Sequence, residues 1–262
     1  QFLVEAIQNN LRPMIEGTRL KPILDGIRLL KPGDVLHSSC ASTLLGTGAF
    51  SRVSSVVLTT ENSSSDKNNR YACKQLKREL FTNRPLFLKA ATELAYEAHV
   101  LSSLDHPNII KIRGWAANGI ASFANDANDE GIADEGGAAS VSAGAAAKSF
   151  FLIMDALPET LDRRIERWKT TDRPESLEQF HRRNIEKLSI CEQIAGALEY
   201  IHSKGVIYRD LKPQNIGFCE EGGSVAKLFD FGLCHELQSL SDGDDENERF
   251  QLPLVGTVSI PY

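Results

Sequence analysis

The segment from Tyr208 to Asn215 constrains the fold of this chain more than any other stretch. It reads Tyr-Arg-Asp-Leu-Lys-Pro-Gln-Asn. It therefore carries an aspartate able to accept a hydroxyl proton, a lysine two positions later and an asparagine able to bind a cation. The proline restricts the backbone, so these groups are predicted to lie in one rigid loop. The loop follows a strongly periodic helix, predicted over 184–203 with inward-facing Leu188, Cys191, Ile194, Leu198 and Ile201.

Two more pieces that suit phosphate chemistry lie earlier in the chain. Gly46 and Gly48 form a glycine-rich turn between two predicted strands. Glycines let backbone N–H groups approach phosphate oxygens without interference from a Cβ atom, although an ordinary hairpin turn explains the pair equally well. Lys74 lies on the next predicted strand, 71–76, where its charge would neutralise phosphates. Taken alone, a lysine of this kind is more often a surface residue.

The last two pieces are carboxylates. Glu97 lies on a helix predicted over 89–104 and would pin Lys74 in place, although Glu93, one turn earlier, is a rival. Asp230-Phe231-Gly232 follows an apolar run at 225–229. A carboxylate at the end of a strand, followed by a flexible glycine, suits a magnesium ligand whose geometry can switch.

In their order and spacing, these five pieces resemble the signature of the protein kinase family over residues 43–262. The resemblance implies a bilobal α+β fold. Its N-lobe, an antiparallel β-sheet with one regulatory helix, would span 37–157 and include a disordered insertion at 117–148 that is rich in small and polar residues. An incomplete, mainly helical C-lobe would span 158–262 and end in the activation segment. Residues 1–36 are predicted to be a helical extension broken by prolines.

The resemblance also implies roles for the N-lobe residues. Gly46 and Gly48 would cover the phosphates of ATP, Lys74 would hold the α- and β-phosphates, and Glu97 would hold Lys74. Glu97 is preferred because it lies ten residues before Pro107, which is the spacing of the family. The adenine would meet the hinge and an apolar surface, formed by Leu45, Val53, Ala72, Met154, Asp155 and Leu157.

In the C-lobe, Asp210 would orient the substrate hydroxyl and take its proton late in the transfer. Lys212 would stabilise the charge of the γ-phosphate, and its presence resembles the Ser/Thr-directed pattern. Asn215 and Asp230 would bind Mg²⁺. The expected regulatory positions are Arg209, Phe231, Gly232 and Thr257, with Ser259 as the alternative to Thr257 for contacting the substrate.

Three positions depart from the family pattern. Ser51 replaces the third loop glycine, Tyr208 replaces a histidine, and Gly217 stands where the family has a large apolar residue below the adenine. These departures keep a non-catalytic pseudokinase, acting as a scaffold or allosteric partner, as the alternative to an active enzyme. Phosphotransfer to a small molecule is disfavoured by Lys212 and by Gly256-Thr257. The acidic loop 242–248 would either pair with Arg209 in place of a phosphate or remain solvated.

The composition of the chain limits the kinds of partner that it is expected to bind. The net charge of −6 argues against non-specific binding to nucleic acid or to membrane surfaces, and no apolar run approaches the roughly 18 residues that span a bilayer. Five cysteines without a Cys-x-x-Cys pair suit a reducing compartment, with Cys73 beside Lys74 as a possible reactive exception. We therefore expect protein substrates and a cytoplasmic or nuclear location. Since the chain stops at Tyr262, before the later helices of the family, we expect weak or no activity from it in isolation.

Overall fold

The computed structural model describes residues 2–37, 44–59, 70–123, 150–220 and 222–237. The chain divides into two compact units. The first contains Gln1–Ile15, Ile23–Ser102 and Lys111–Leu157. The second contains Glu16–Pro22, Ser103–Ile110 and Pro158–Tyr262. The α+β class predicted from the sequence is confirmed.

The first unit is built on a seven-stranded sheet with the order β1-β6-β7-β5-β4-β2, in which β3 pairs with β4. Its strands are β1 (Arg28–Leu30), β2 (Val35–His37), β3 (Leu44–Thr47), β4 (Ser51–Leu58), β5 (Tyr71–Leu76), β6 (Ile112–Ala116) and β7 (Phe151–Asp155). β7 lies between β5 and β6, and its consecutive apolar residues Phe151–Met154 are all buried, so both faces of the strand are covered. All the pairings are antiparallel except β1 with β6, which is parallel.

Two helices complete the first unit, and they are α1 (Phe2–Ile15) and α2 (Arg84–Ser102). Asn83 caps α2, since its Oδ1 accepts a hydrogen bond from the N–H of Leu86 at 3.2 Å. The helix therefore begins five residues before the predicted start at Lys89. Helix α1 packs against α2, and the guanidinium of Arg84 lies 4.7 Å from the centre of the Phe2 ring.

The helical extension predicted for residues 1–36 is wrong in its second half. Residues 23–27 are not helical, and Arg28–Leu30 forms strand β1 beside β6. The approach is close, because a Cβ atom added at Gly114 would lie 2.7 Å from the carbonyl oxygen of Arg28. Pairing with an existing strand satisfies the backbone groups of this segment, and that gain outweighs a helix-like spacing of apolar residues.

The start of the predicted insertion is also wrong. Residues 117–123 were expected to be disordered, but Gly119–Phe123 forms a 3₁₀ helix. Phe123 is fully buried, 5.9 Å from the Phe87 ring and 4.9 Å from the Phe150 ring between centroids. One aromatic side chain in a polar stretch is therefore enough to attach it to the core. The rest of the predicted insertion, 124–148, lies outside the described residues.

The second unit combines α3 (Leu161–Thr170) and α4 (Leu177–Ser203) with five short strands. These strands are β8 (Glu159–Thr160), β9 (Val206–Ile207), β10 (Ile216–Phe218), β11 (Ala226–Leu228) and β12 (His235–Glu236). They pair antiparallel in the orders β11-β10-β8 and β12-β9. No helix in the described part of the chain has both the length and the apolar content that a bilayer crossing requires.

Helix α4 is longer than predicted and presents a different face. It begins at Leu177, because the hydroxyl of Ser176 accepts a hydrogen bond from the N–H of Gln179 at 3.2 Å. Its buried residues are Ile190, Ile194, Ala197 and Ile201. Leu188 and Cys191, predicted to face inward, are instead exposed. Apolar periodicity located the helix correctly, but it did not identify which of its faces is covered in the second unit.

Candidate active site

Lys74 and Glu97 form a buried ion pair inside the first unit. The Nζ of Lys74 donates to both carboxylate oxygens of Glu97, at 2.9 and 2.7 Å. Lys74 lies on β5 and Glu97 on α2, and the two residues are 8% and 2% exposed. A pair withdrawn from water in this way is held in one geometry, since either charge alone would be costly to bury. The arrangement fixes one ammonium group at a defined point beside the sheet.

Glu93, the rival partner, does not bond Lys74. It is half-buried, and its carboxylate lies 3.9 Å from Lys89, one turn earlier on α2. Burial raises the pKa of Glu93, and the positive charges of Lys89 and Lys74 oppose that rise. The choice between the two glutamates therefore follows from which side of α2 faces β5.

The glycine turn has the hairpin form predicted for it. Gly46 on β3 pairs with Val53 on β4, with an irregularity in the register just before Gly46. The N–H of Gly48 donates to the carbonyl oxygen of Ser51 at 2.9 Å and closes the turn. A Cβ atom at Gly48 would lie 3.3 Å from the Ser51 hydroxyl. Ser51, in the place of the third glycine, therefore packs closely against Gly48.

The apolar residues predicted to meet a nucleotide base lie on one sheet, except for Leu157, which lies two residues beyond the end of β7. Ala72 on β5 pairs with Met154 on β7, and both are buried. Leu45, Val53 and Leu157 are half-buried. Asp155 follows Met154, and its carboxylate is held by the Arg113 side chain at 2.6 Å while its N–H donates to the Lys111 carbonyl oxygen at 3.1 Å. The backbone at the end of β7 is thus anchored by neighbours on β6.

The predicted catalytic loop brings three of its side chains together in the second unit. The Oδ2 of Asp210 accepts hydrogen bonds from Lys212 Nζ at 2.8 Å and from Asn215 Nδ2 at 2.7 Å. The amide nitrogen of Asn215 also donates to the carbonyl oxygen of Asp210, at 3.0 Å. Asp210 and Asn215 are buried, and Pro213 begins the 3₁₀ helix Pro213–Asn215. The carboxylate is therefore oriented by a cation and an amide from its own loop.

Asp230 is linked to this loop through the backbone. The N–H of Phe229 donates to the carbonyl oxygen of Asn215 at 3.0 Å, which fixes the end of the chain that leads into Asp230. Asp230 and Arg209 have positive φ angles of 62° and 65°. Residues other than glycine adopt this conformation at a cost of about 1–3 kcal/mol, and they cluster at functional sites. Asp230 itself is exposed, whereas Phe231, which follows it, is fully buried.

Magnesium suits the donor atoms of Asn215 and Asp230. Because Asp210 uses the amide nitrogen of Asn215, the carbonyl oxygen of that side chain is the atom it can offer to a cation. A carboxylate and an amide oxygen are hard ligands of the kind that Mg²⁺ prefers. Among the described residues, no group of three or more His, Cys, Asp or Glu side chains could hold a metal ion. Asn215 and Asp230 would therefore supply one amide oxygen and one carboxylate to such a cation.

Tyr208 does more than fill the place of a histidine. Its ring lies 5.1 Å from the buried Phe231 ring in an edge-on arrangement, and its hydroxyl donates to the carbonyl oxygen of Phe229. The phenol therefore bonds the residue just before Asp230 and packs on the residue just after it. From the sequence, Tyr208 was identified as a replacement for a histidine, but no hydrogen bond was assigned to it. A hydroxyl on a buried aromatic ring, which needs a partner, was the signal for the hydrogen bond.

Two further predicted positions have defined surroundings. Gly217 is buried in the middle of the three-stranded sheet, paired with Thr160 and Lys227. Arg209 donates from Nε to the carbonyl oxygen of Leu233 at 2.7 Å, across the turn that contains Gly232. Thr257, Ser259 and the acidic loop 242–248 lie outside the described residues.

Cys73 is not a reactive thiol, in spite of its position beside Lys74. It is 1% exposed, and burial raises its pKa to about 12, with a small opposing effect of the Arg52 charge. A thiol with the usual pKa of 9.0 holds about a thousandfold more thiolate near neutral pH. We therefore expect iodoacetamide at pH 8 to label the exposed Cys191 and Cys219 of the native protein and to spare Cys73.

Peptide mass spectrometry after timed labelling would measure this difference. Denaturation in urea before labelling is the control, and it should make Cys73 as reactive as the exposed cysteines. Labelling of native Cys73 at a rate within tenfold of Cys191 would contradict the assignment.

The sequence of this chain matches one protein family model and several known proteins. A family model described as "Protein kinase domain" matches residues 41–252. Eukaryotic translation initiation factor 2-alpha kinase 3 from Bos taurus is 44% identical over 69 residues, which is 26% of this chain and 6% of that protein. Serine/threonine-protein kinase ELM1 from Saccharomyces cerevisiae is 41% identical over 103 residues, or 36% of this chain and 16% of that protein.

The longest of these matches is weaker in identity. A probable myosin light chain kinase from Dictyostelium discoideum is 26% identical over 192 residues, which is 72% of this chain and 29% of that protein. The chain spans less than a third of the length of each of these three relatives.

Proposed function

This chain belongs to the protein kinase family, and from that premise we propose that it transfers the γ-phosphoryl group of ATP to Ser or Thr hydroxyls of protein substrates. The observation that carries the proposal is the oriented carboxylate of Asp210, which Lys212 and Asn215 bond at 2.8 and 2.7 Å. A base in a buried, fixed position is what proton removal from a weakly acidic alcohol requires. The retained charged residues favour an active enzyme over a pseudokinase.

Each charged residue has a separate task in the proposed reaction. The Asp210 carboxylate accepts a hydrogen bond from the substrate hydroxyl and aims its oxygen at the γ-phosphorus. As the new P–O bond forms and the bond to the β-phosphate oxygen breaks, Asp210 takes the hydroxyl proton and ADP leaves. Lys212 neutralises charge on the transferred group. Since this transition state is loose, positioning and charge neutralisation supply most of the catalysis.

The remaining residues bind the nucleotide and the cation. Lys74, held by Glu97, would neutralise the α- and β-phosphates, and the backbone of the Gly46–Gly48 turn would cover them. Asn215 and Asp230 would hold Mg²⁺, which when bound lowers the negative charge of the triphosphate. Lys212 also supports Ser or Thr rather than Tyr as the phosphate acceptor, since the sequence Asp-Leu-Lys-Pro is similar to that of Ser/Thr-directed members of the family.

Phosphate transfer from labelled ATP tests the proposal. The intact protein should incorporate label from γ-³²P-ATP into a generic protein substrate in the presence of Mg²⁺, and phosphoamino-acid analysis should recover phosphoserine or phosphothreonine. Recovery of phosphotyrosine alone would contradict the predicted hydroxyl specificity. No incorporation with any protein substrate, despite binding of ATP, would favour the pseudokinase.

Replacing Glu97 with Gln should lower kcat/KM for ATP by about 10- to 100-fold. The amide keeps the size of the side chain but removes the charge that holds Lys74, and hydrogen bonds to charged groups contribute about 1.5–3 kcal/mol. Steady-state kinetics with varied ATP would measure the change. Glu93→Gln is the matched control on the same helix, since Glu93 does not bond Lys74, and it should stay within twofold of wild type. Equal losses in the two variants would argue against a specific role of Glu97.

A further inference from the structure

A short N-terminal segment belongs to the second unit, although the residues on both sides of it belong to the first. Residues Glu16–Pro22 group with Pro158–Tyr262. Thr18 and Arg19 bond Glu236 and Leu237, which lie 217 or 218 positions later in the chain. Contacts at such a separation cost loop entropy, so the partners must hold one another tightly enough to offset it. None of the five signature pieces includes these residues.

In this contact, a turn that contains Thr18 and Arg19 binds the carboxylate of Glu236. The Thr18 hydroxyl donates to Glu236 Oε2, and the N–H of Arg19 donates to Oε1 at 2.6 Å. The Thr18 oxygen also accepts from the N–H of Leu20 at 3.0 Å, which shapes the turn, and Leu20 is buried. The Arg19 guanidinium donates to the carbonyl oxygen of Leu237 at 3.4 Å. Both oxygens of Glu236 are thus bonded by donors from adjacent residues.

Glu236 and Leu237 lie at the end of a segment that begins with Asp230, the predicted magnesium ligand. Glu236 lies on β12, which pairs with β9 just before the catalytic loop, and the N–H of Leu237 donates to the carbonyl oxygen of Gly205 at 2.7 Å. At its other end the segment is held by Phe231, which packs on Tyr208. Strands of two residues have little stability of their own, so the pairing of β12 with β9 needs support from outside.

We propose that the Thr18–Arg19 turn is a clamp that positions the segment Asp230–Leu237 for phosphotransfer. The proposal rests on the proposed kinase function, because positioning matters only if Asp230 and Arg209 serve the reaction. Arg209 bonds the carbonyl oxygen of Leu233 within this segment, so a shift of β12 would also be felt beside Asp210. Thr18 is therefore a positioning residue that acts through Glu236, and it has no contact of its own with the reacting atoms in this scheme.

Thr18→Val in the intact protein tests the clamp, because valine keeps the shape of threonine and removes the hydroxyl donor. Hydrogen exchange at the Leu237 amide should become roughly tenfold faster. The value of kcat should fall about three- to tenfold while KM for ATP stays within twofold. Thr18→Ser, which keeps the hydroxyl, should restore both measurements. Thr170→Val is the matched control in the same unit, since it removes an exposed hydroxyl that bonds only near its own position in the chain, to the Glu166 carbonyl oxygen at 2.9 Å and to the neighbouring Thr171 hydroxyl at 3.3 Å.

A change on the other side of the contact separates a specific bond from a general loss of stability. Glu236→Gln replaces one of the two acceptor oxygens with an NH₂ group, so one of the two donors loses its acceptor, and the variant should reproduce the faster exchange. The double variant should be no worse than the more affected single variant, because both remove the same interaction. Additive effects of the two substitutions would overturn the clamp.

The remaining outcomes also decide the matter. Unchanged exchange at Leu237 in Thr18→Val would overturn the clamp whether or not the protein is an enzyme. Faster exchange with unchanged kcat would overturn the positioning role. A wild-type protein that shows no phosphotransfer would contradict the proposed function and with it the catalytic part of this inference, while the exchange measurement would still decide whether the clamp exists.

Discussion

Replacing Asp210 with Asn is expected to lower kcat for phosphotransfer by about 10²- to 10⁴-fold, with a much smaller change in KM for ATP. Asparagine has the size of aspartate, and its amide oxygen can still accept from Lys212 and Asn215. The loop should therefore keep its shape, while the group that takes the hydroxyl proton is lost. Initial rates with saturating protein substrate and varied ATP would separate kcat from KM.

The control for this variant is the same chemical change elsewhere in the second unit. Asp172 pairs with Arg167 at 3.1 Å on a partly exposed surface, so Asp172→Asn should leave kcat unchanged. Thermal unfolding of both variants should match wild type within a few degrees. An Asp210→Asn protein that keeps more than a tenth of the wild-type kcat would show that Asp210 is not the catalytic base.

Replacing Glu159 with Gln is expected to destabilise the second unit by about 3–5 kcal/mol. Glu159 neutralises Arg164, which is fully buried, through bonds of 3.0 and 2.6 Å from Nε and Nη2. The Arg164 guanidinium also donates to the Gly223 carbonyl oxygen at 2.8 Å and lies 3.3 Å from the centre of the Phe218 ring. Because a guanidinium cannot lose its charge in a protein, removal of Glu159 leaves that charge with the more distant and partly exposed carboxylate of Glu186, at 3.4 Å from Nη1.

Urea unfolding measured by tryptophan fluorescence would report this loss. The chain has two tryptophans, so a Trp115→Phe background leaves Trp168 on α3 as the single reporter in the second unit. Glu178→Gln is the matched control. It breaks the exposed pair of Glu178 with Arg182 and should cost less than about 1 kcal/mol. The double variant Glu159→Gln, Arg164→Met should recover part of the lost stability, because no buried charge remains to be compensated.

The pH dependence of stability is a second test of the interaction between Glu159 and Arg164. Burial alone would raise the pKa of Glu159. The hydrogen bonds from Arg164 and from the Gly222 N–H, with the charges of Arg164 and Arg167, outweigh burial and lower the pKa from its usual 4.5. The stabilisation is therefore complete above pH 4.5 and is lost as the pH falls through the lower folded-state value. The acid-induced loss should be smaller in Glu159→Gln, and an identical pH profile in both proteins would contradict the assignment.

Local sequence was sufficient wherever the partners lie close together along the chain. Asp210, Lys212 and Asn215 are within five positions of one another, so the loop could be interpreted without knowledge of the rest of the fold. The Gly46–Gly48 turn is equally local, since its closing hydrogen bond joins Gly48 to Ser51. For such features the residue types and the backbone restrictions of glycine and proline already limit the geometry.

Tertiary contacts were needed wherever two patterns competed. Glu93 and Glu97 share a helix and a residue type, and only the packing of α2 beside β5 pairs Glu97 with Lys74. Residues 28–30 have a helix-like apolar spacing, yet they form a strand because their backbone pairs with β6. Leu188 lies on the helix that its periodicity predicted, but it is exposed, because periodicity describes a face and not what covers it.

The sequence of this chain therefore predicted its family, its α+β class and the groups that the loop Tyr208–Asn215 brings together, because these depend on short stretches with restricted geometry. Only the tertiary structure showed three side-chain interactions: the ion pair of Lys74 with Glu97, the ion pair of Arg164 with Glu159 and the hydrogen bond from Thr18 to Glu236. The last of these joins residues 218 positions apart. Contacts of that kind depend on where the whole fold brings two distant segments, and no local preference of either segment specifies them.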